Sequence, residues 1–171
     1  QRGLGSSKLA ISSVGGTINI ITKTTDLKEG GSIVSSVGND GYFKNLASYN
    51  TGKNENGFAA SFLISRTAGN GYVDGTQFEG FNYFVGLGWD KGDHNFQFML
   101  TGAPQTHNQR TTSFFNMATI GDYLKYGKKY NYNHGYLNGE EFNWRQNFYH
   151  KPITSFNWSW DINETSSLTT S

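Results

Sequence analysis

The sequence predicts an all-β protein, and more narrowly a transmembrane antiparallel β-barrel. Three observations lead to this prediction. Apolar and polar residues alternate through several segments of about nine residues, which is the period of a β-strand. One face of these segments carries Trp, Phe and Tyr, while the other is rich in Asn, Gln, Ser and Thr. The connections between segments are short at one end and longer at the other, which is typical of outer-membrane barrels.

Composition narrows the classes of protein. The 171 residues are 35% hydrophobic and 16% aromatic, with 22 glycines, 2 prolines and no cysteine. No apolar run approaches the length of about 20 residues that a membrane-spanning helix needs. The mean hydropathy of −0.58 does not exclude a barrel, because alternating strands average out as polar. The lack of cysteine excludes disulfides and thiolate metal sites, and a net charge of +1 gives no reason to expect nucleic acid as a partner.

Seven strands are predicted in chain order, separated by turn signals. They are residues 32–37, 43–51, 58–66, 81–89, 94–101, 154–163 and 167–171. The hairpin signal Asn39-Asp40-Gly41 joins the first two strands, and residues 91–93 form a tight turn. Residues 154–163 alternate most cleanly. Residues on the apolar face of this strand are Phe156, Trp158, Trp160 and Ile162.

The alternation alone fits two settings. One apolar and one polar face over about nine or ten residues suit a tilted strand that crosses a bilayer. A half-exposed soluble sheet gives the same pattern. Trp89, Trp158 and Trp160 lie on the apolar face, and this favours the membrane, where aromatic girdles are expected at the interfaces.

The connections give an orientation. If the first strand runs outward from the periplasm, residues 38–42, 67–77 and 102–153 lie outside the cell, and residues 52–57, 91–93 and 163–166 lie inside. All three inside turns are short, and two of the three outside loops are longer, as in outer-membrane barrels.

The long segment 102–152 lacks strong periodicity over 51 residues, and such loops are usually functional. Residues 114–126 are predicted to form a short helix within it. Its later part mixes aromatic rings with amides, groups that stack on and hydrogen-bond to sugars or siderophores. The alternative is that these rings only hold the loop against its neighbours. The candidate ligand-binding residues in the predicted outer loops are Tyr72, His107, Arg110, Tyr130, Tyr132, Tyr136, Trp144 and Arg145.

No motif for catalysis or metal binding is found in the sequence. His94, His107 and His134 lack the close spacing to a further ligand that metal sites show, as does the fourth histidine, His150. The adjacent carboxylates at positions 140 and 141 would point apart in a strand, which does not suit a glycosidase pair. We expect a protein that is not an enzyme and has no cofactor.

Two groups of residues resemble one protein family. Residues 3–23, GLGSSKLAISSVGGTINIITK, look like the end of the plug domain in TonB-dependent outer-membrane receptors, and the plug-end motif comprises Gly15, Gly16, Asn19, Thr22 and Lys23. Residues 102–110 (GAPQTHNQR), 136–140 (YLNGE) and 147–152 (NFYHKP) look like barrel segments of the SusC-like branch of these receptors. Together the matches extend from the plug end into the early barrel.

The resemblance implies an architecture and a set of partners. Such receptors have a 22-stranded barrel closed by an N-terminal plug, so residues 1–24 would end the plug, 25–31 would be a linker, and 32–171 would begin the barrel, with 102–153 as a long extracellular loop. The chain starts at Gln1 without an initiator methionine and stops at Ser171 in a strand-like pattern. We therefore expect an internal piece of a longer protein.

The implied function is active import of a nutrient across the outer membrane of a Gram-negative bacterium. Ligand would bind among outer loops and plug, and the TonB–ExbB–ExbD complex would supply energy through a segment that precedes this chain. Outer-membrane lipids are further implied partners, as is a surface lipoprotein in the SusC-like branch. The sequence does not choose among a glycan, a peptide, haem and a siderophore as ligand.

Two other functions remain open. A passive porin or structural outer-membrane barrel would share the strands, although the plug-like residues 15–23 argue against it. A soluble β-sandwich, as a carbohydrate-binding module or glycosidase, would need a true core between two sheets.

Overall fold

The computed structural model describes residues 23–110 and 120–171, and most of these residues form antiparallel β-sheet. The strands are β1 Gly30–Val37, β2 Phe43–Asn50, β3 Phe58–Gly69, β4 Phe78–Lys91, β5 His94–Gly102, β6 Gln105–Asn108, β7 His134–Leu137, β8 Glu140–Asn143, β9 Gln146–Tyr149, β10 Ile153–Asn163 and β11 Ser166–Thr170. The main sheet has the order β1-β2-β3-β4-β5-β10-β11 and is open at β1 and β11. The all-β prediction is confirmed at this level.

All seven predicted strands are present, and β3 and β4 exceed their predicted lengths the most. β3 continues past residue 66 to Gly69, and β4 begins at Phe78 rather than residue 81. These extensions pair with each other, since Gly69 lies opposite Phe78 in the β3–β4 ladder. The predicted loop 67–77 is therefore reduced to residues 70–77.

The segment between β5 and β10 was predicted as irregular, and this was wrong in part. It contains β6 and β9, which pair with each other, and the β7–β8 hairpin. β6 also pairs with β4 and so continues the sheet beyond the end of β5. Although this long segment intervenes, β10 pairs with β5 from Ile153–Thr101 to Trp160–His94.

The described part of the predicted helix 114–126 is helical. Helix α1 spans Ile120–Tyr126, and residues 114–119 lie outside the described residues. In the described part of the chain, no helix has the length and apolar character needed to cross a membrane.

The predicted plug end and linker are described only from residue 23 onward. Gly15, Gly16, Asn19 and Thr22 lie outside the described residues, and Lys23 is exposed. A short 3-10 turn, Thr24–Asp26, follows, and β1 begins at Gly30, two residues before the predicted start. The predicted linker 25–31 thus includes part of a turn and the start of a strand.

The two faces of the sheet differ in chemistry. The register places Phe62, Val85, Leu100 and Phe98 on one face, called here the apolar face. The opposite face, called the polar face, carries the intervening residues of each strand. Members of the polar face include Ser48, Ser61, Ser65, Asn82, Gly86, Gly88, Asn95, Gln97, Asn157 and Ser159.

Burial is the reverse of that in a soluble sheet. On the apolar face, Ile33 is 89% exposed, Ile64 63% and Phe156 55%. On the polar face, Ser61 and Gln97 are buried. Ala59 is the one buried hydrophobic residue among residues 23–110 and 120–171. The sheet thus has no conventional apolar core in the part that the structure describes.

A row of aromatic rings crosses the apolar face near one end of the sheet. Ring centroids are 6.0 Å apart for Phe58 and Trp89, 5.6 Å for Trp89 and Phe96, and 5.9 Å for Phe96 and Trp158. Trp160 continues the row 6.2 Å from Trp158. The connections at this end are residues 51–57, 92–93 and 164–165, and we call it the turn end. The opposite end, with residues 38–42, 70–77 and 103–152, is the loop end.

Candidate functional site

A polar cleft lies at the loop end, between residues 70–77 and the β7–β8 hairpin. Its volume is about 590 Å³. Side chains around this loop-end cleft are those of Asp40, Tyr72, Asp74, Lys129, His134, Tyr136 and Glu141. Two aromatic rings, a lysine, a histidine and three carboxylates therefore surround one space. Such a set can stack on a ligand and hydrogen-bond to its hydroxyl, amide or ammonium groups.

Contacts among these side chains fix the walls of the cleft. Lys129 Nζ lies 5.3 Å from the centroid of the Tyr72 ring and 4.0 Å from Asp40 Oδ1. His134 Nε2 lies 3.0 Å from Glu141 Oε1. The His134 ring packs directly on Gly75, where a Cβ would overlap it, and the φ of +67° at Gly75 also favours glycine.

Three buried asparagines, in and just before the β7–β8 hairpin, connect this hairpin to the backbone of Gln109. Asn131, Asn133 and Asn143 are 2%, 2% and 9% exposed. Their Nδ2 atoms all donate to the carbonyl oxygen of Gln109, at 3.3, 2.9 and 3.0 Å. Asn143 Nδ2 also lies 2.7 Å from the carbonyl oxygen of Gly75. These amides, which we call the asparagine cluster, satisfy buried backbone groups and so hold the cleft together.

The eight predicted ligand-binding residues are not all brought together. Tyr72 and Tyr136 line the loop-end cleft, and they are 56% and 75% exposed. Trp144 is held by a hydrogen bond from Nε1 to Asn133 Oδ1, 2.8 Å long. The Arg145 side chain is exposed, and its backbone N–H donates to Asn143.

The other four predicted residues lie elsewhere around the loops. His107 stacks on Tyr149, with centroids 5.8 Å apart. The Arg110 guanidinium lies 4.8 Å from the centroid of the Tyr123 ring. Tyr130 stacks on Tyr126 at 4.9 Å, and partial burial raises the pKa of Tyr130, with Asp122 and neighbouring tyrosines adding to the shift. Tyr132 is exposed and lines no part of the loop-end cleft.

A second arrangement lies on the polar face and was not predicted. The backbone N–H of Thr24 donates to Gln97 Oε1, and Gln97 Nε2 donates to Thr25 Oγ1, both at 2.9 Å. Gly86 and Gly88 provide the space, because a Cβ there would lie 2.5 Å from Thr24 Oγ1 and 2.7 Å from Thr25 Cγ2. We call Gly86, Gly88 and Gln97 the threonine socket.

The threonine socket leaves Thr24 and Thr25 only 5% and 4% exposed. It therefore fixes, on the polar face, the point at which the preceding chain enters the sheet. Glycines at alternate positions 86 and 88 of one strand were a signal in the sequence, since both must face the same side.

No metal centre is assembled in the described residues, where no group of three or more His, Asp or Glu side chains is placed to hold an ion. Comparison of the chain with protein-family models, with curated proteins and with solved structures gave no match.

Proposed function

We propose that this chain forms part of a β-barrel in the outer membrane of a Gram-negative bacterium, and that the barrel is a TonB-dependent receptor that imports a nutrient ligand. The observation that carries the proposal is the reversed burial of the sheet. On the apolar face, large side chains are exposed on β1, β2, β3, β4, β10 and β11, while the polar face holds buried serine and glutamine side chains.

Reversed burial supports a lipid-facing sheet over a soluble sandwich. Soluble monomers rarely expose contiguous apolar patches larger than a few hundred Å², and a sandwich buries the apolar face of each sheet against the other. Here the segment that packs on the sheet, Thr24–Asp26, lies on the polar face. Hydrocarbon is the environment that would cover the apolar face, and a polar interior would face the other.

The dimensions of the apolar face suit a bilayer. Trp89 in the aromatic row and Phe81 at the other margin are eight positions apart on β4, or about 27 Å along the strand. A strand tilt of about 40° reduces this to about 20 Å, close to the apolar band of about 25 Å in outer-membrane barrels.

The threonine socket supports a plugged receptor over an open porin. It holds the residues that directly follow the plug-like segment 15–23 against the polar face, which would be the interior of the barrel. Ser61 on this face is 3% exposed, and its Oγ has no hydrogen-bond partner among the described residues. A polar segment that precedes Thr24 would cover such a face, whereas a porin would leave it to water.

The loop-end cleft is the part that would meet the ligand. It would lie on the extracellular side, since the short connections are at the opposite end. Its charged and hydrogen-bonding lining favours a glycan or a peptide over haem, which needs an extended apolar pocket. The TonB–ExbB–ExbD complex and a surface lipoprotein are the protein partners of this proposal.

An uptake experiment tests the active mechanism. Labelled maltooligosaccharide, tripeptide, haemin and a ferric siderophore are offered to cells that express the native protein, with and without TonB. We expect one of them, a glycan or a peptide, to accumulate above its external concentration only when TonB is present. Accumulation to equilibrium regardless of TonB would indicate a porin instead.

Variants connect that uptake to the loop-end cleft. For the ligand that is taken up, Tyr72→Ala and Tyr136→Ala should each weaken binding about two- to tenfold, since one aromatic contact contributes about 0.5–1.5 kcal/mol. Tyr132→Ala is the matched control, because this exposed tyrosine lies outside the cleft. If Tyr132→Ala weakened binding as much as Tyr72→Ala and Tyr136→Ala do, the loop-end cleft would not be the binding site.

A further inference from the structure

The apolar face becomes polar directly beyond Phe81, toward the loop end. A cleft of about 410 Å³ opens there. Side chains that line it include Arg66, Gln77, Glu79, Thr106, Asn108 and Gln146. We call it the amide cleft, and it adjoins the loop-end cleft, with which it shares Asn70 and Gln77.

Register places the amide cleft on the same side of the sheet as the apolar band. Arg66 pairs with Phe81, Glu79 pairs with Thr106, and Asn108 pairs with Gln146. The side chains of Arg66 and Glu79 thus continue the row formed by Ile64 and Tyr83. A lipid whose acyl chains lie along the apolar band would bring its headgroup to this cleft.

Aromatic and ionic contacts hold the base of the amide cleft. The Arg66 guanidinium lies 5.2 Å from the ring centroid of Phe43 and 5.7 Å from that of Phe81. Arg66 Nε donates to Glu79 Oε1 at 2.7 Å. The Glu79 carboxylate already accepts a hydrogen bond from the guanidinium, and its negative charge repels a second anion. The pair therefore disfavours a phosphate headgroup.

A chain of amides forms the upper wall. Gln146 Nε2 donates to Asn108 Oδ1, and Asn108 Nδ2 donates to Gln77 Oε1, each at 3.0 Å. This order of bonds leaves Gln146 Oε1 as an acceptor and Gln77 Nε2 as a donor, neither of which has another partner among the described residues. Sugar hydroxyls donate and accept at once, so they fit a wall that offers both.

We propose that the amide cleft binds the uncharged sugar headgroup of a lipid in the outer leaflet. This inference rests on the proposed membrane position of the sheet. The headgroup that fits the cleft is a pyranose with free hydroxyls. A pyranose carried on a lipid is favoured over a free sugar because the cleft adjoins the apolar band.

Lipid retention tests the proposal. The native protein is placed in nanodiscs of phosphatidylglycerol that contain a small fraction of glucosyl-diacylglycerol, and the retained lipids are counted by native mass spectrometry. We expect the glucosyl lipid to be enriched, and Gln146→Leu to reduce the enrichment about tenfold, as expected for the loss of a hydrogen bond. Gln105→Leu, on the exposed opposite face of β6, is the matched control and should change nothing.

The outcomes separate this proposal from the barrel itself. Insertion into nanodiscs without enrichment, or enrichment that Gln146→Leu leaves intact, would overturn the amide cleft and leave the barrel standing. Displacement of the lipid by millimolar methyl glucoside would assign the cleft to a free sugar and overturn the lipid assignment. Failure of the protein to enter a bilayer would contradict the barrel and, with it, the lipid site.

Discussion

Leu87→Lys is expected to destabilise the protein in a bilayer by about 2 kcal/mol, because a charge on the lipid-facing side of a barrel costs about 2–4 kcal/mol at the midplane and less toward the interfaces. Leu87 lies on the apolar face between Ala60 and Phe98, and its side chain is 45% exposed to solvent. Leu87 is two positions from Trp89 in the aromatic row, so its depth in the bilayer would lie between the interface and the midplane. Urea unfolding from liposomes measures the change.

The control uses the same substitution on the other face. Leu63 lies on the polar face between Ser48 and Phe84 and is half-buried. Leu63→Lys should cost at most about 1 kcal/mol, since a lysine there can extend its ammonium to hydrogen-bond acceptors of a polar interior. In a soluble protein Leu87→Lys would cost less than Leu63→Lys, because a Leu→Lys change at an exposed position usually alters the free energy of unfolding by no more than about 0.5 kcal/mol. A larger cost at residue 63 would therefore contradict the membrane assignment.

Gly88→Val is expected to release Thr24 and Thr25 from the polar face. A Cβ at residue 88 would lie 2.7 Å from Thr25 Cγ2 and 2.9 Å from Gln97 Oε1, so both must move and the Gln97 bonds to the two threonines are lost. The chain has no cysteine, so Thr24→Cys can report the change through maleimide labelling. Labelling should accelerate by about tenfold or more, which corresponds to about 1.4 kcal/mol of lost local protection.

Gly135→Val is the matched control for this experiment. A Cβ at residue 135 meets no atom within 4 Å, and the backbone there is in the ordinary range for β7. Thr24→Cys should be labelled at the same rate with Gly135→Val as without it. If Gly88→Val also left the rate unchanged, the threonine socket would not be what holds Thr24 on the sheet.

The long strands could be predicted from the sequence because their alternation is strong. In β10, Phe156, Trp158 and Trp160 stand against Ser155, Asn157 and Ser159, and the strand spans Ile153–Asn163. Two strand ends were not predicted, because β3 and β4 continue through Thr67–Gly69 and Phe78–Gly80, where glycine weakens the periodic signal.

The short strands could not be predicted, for a physical reason. β6 (QTHN), β7 (HGYL), β8 (EEFN) and β9 (QNFY) have four residues each and no alternation of apolar and polar side chains. β6 is stabilised by pairing with β4 and β9, which are distant in sequence, and β7 and β8 are stabilised by pairing with each other. Such pairing leaves no periodic trace in the sequence.

The candidate site was predicted only in its location. The aromatic- and amide-rich segment does form part of the loop-end cleft, which Tyr136 and Tyr72 both line. Asn131, Asn133 and Asn143 instead face inward onto the Gln109 carbonyl. An asparagine that binds a ligand and one that satisfies a buried backbone group have the same sequence signature, so tertiary structure is needed to distinguish them.

The most direct test of the central claim is the lipid exposure of β10. Nitroxide labels are placed singly at residues 155–160 of the native protein in a bilayer, and collision rates with oxygen and with a water-soluble nickel complex are measured. We predict a period of two, with high oxygen and low nickel accessibility at residues 156, 158 and 160, and lower oxygen accessibility at 155, 157 and 159. High nickel accessibility at residues 156, 158 and 160 would show that the apolar face meets water, and would contradict the barrel.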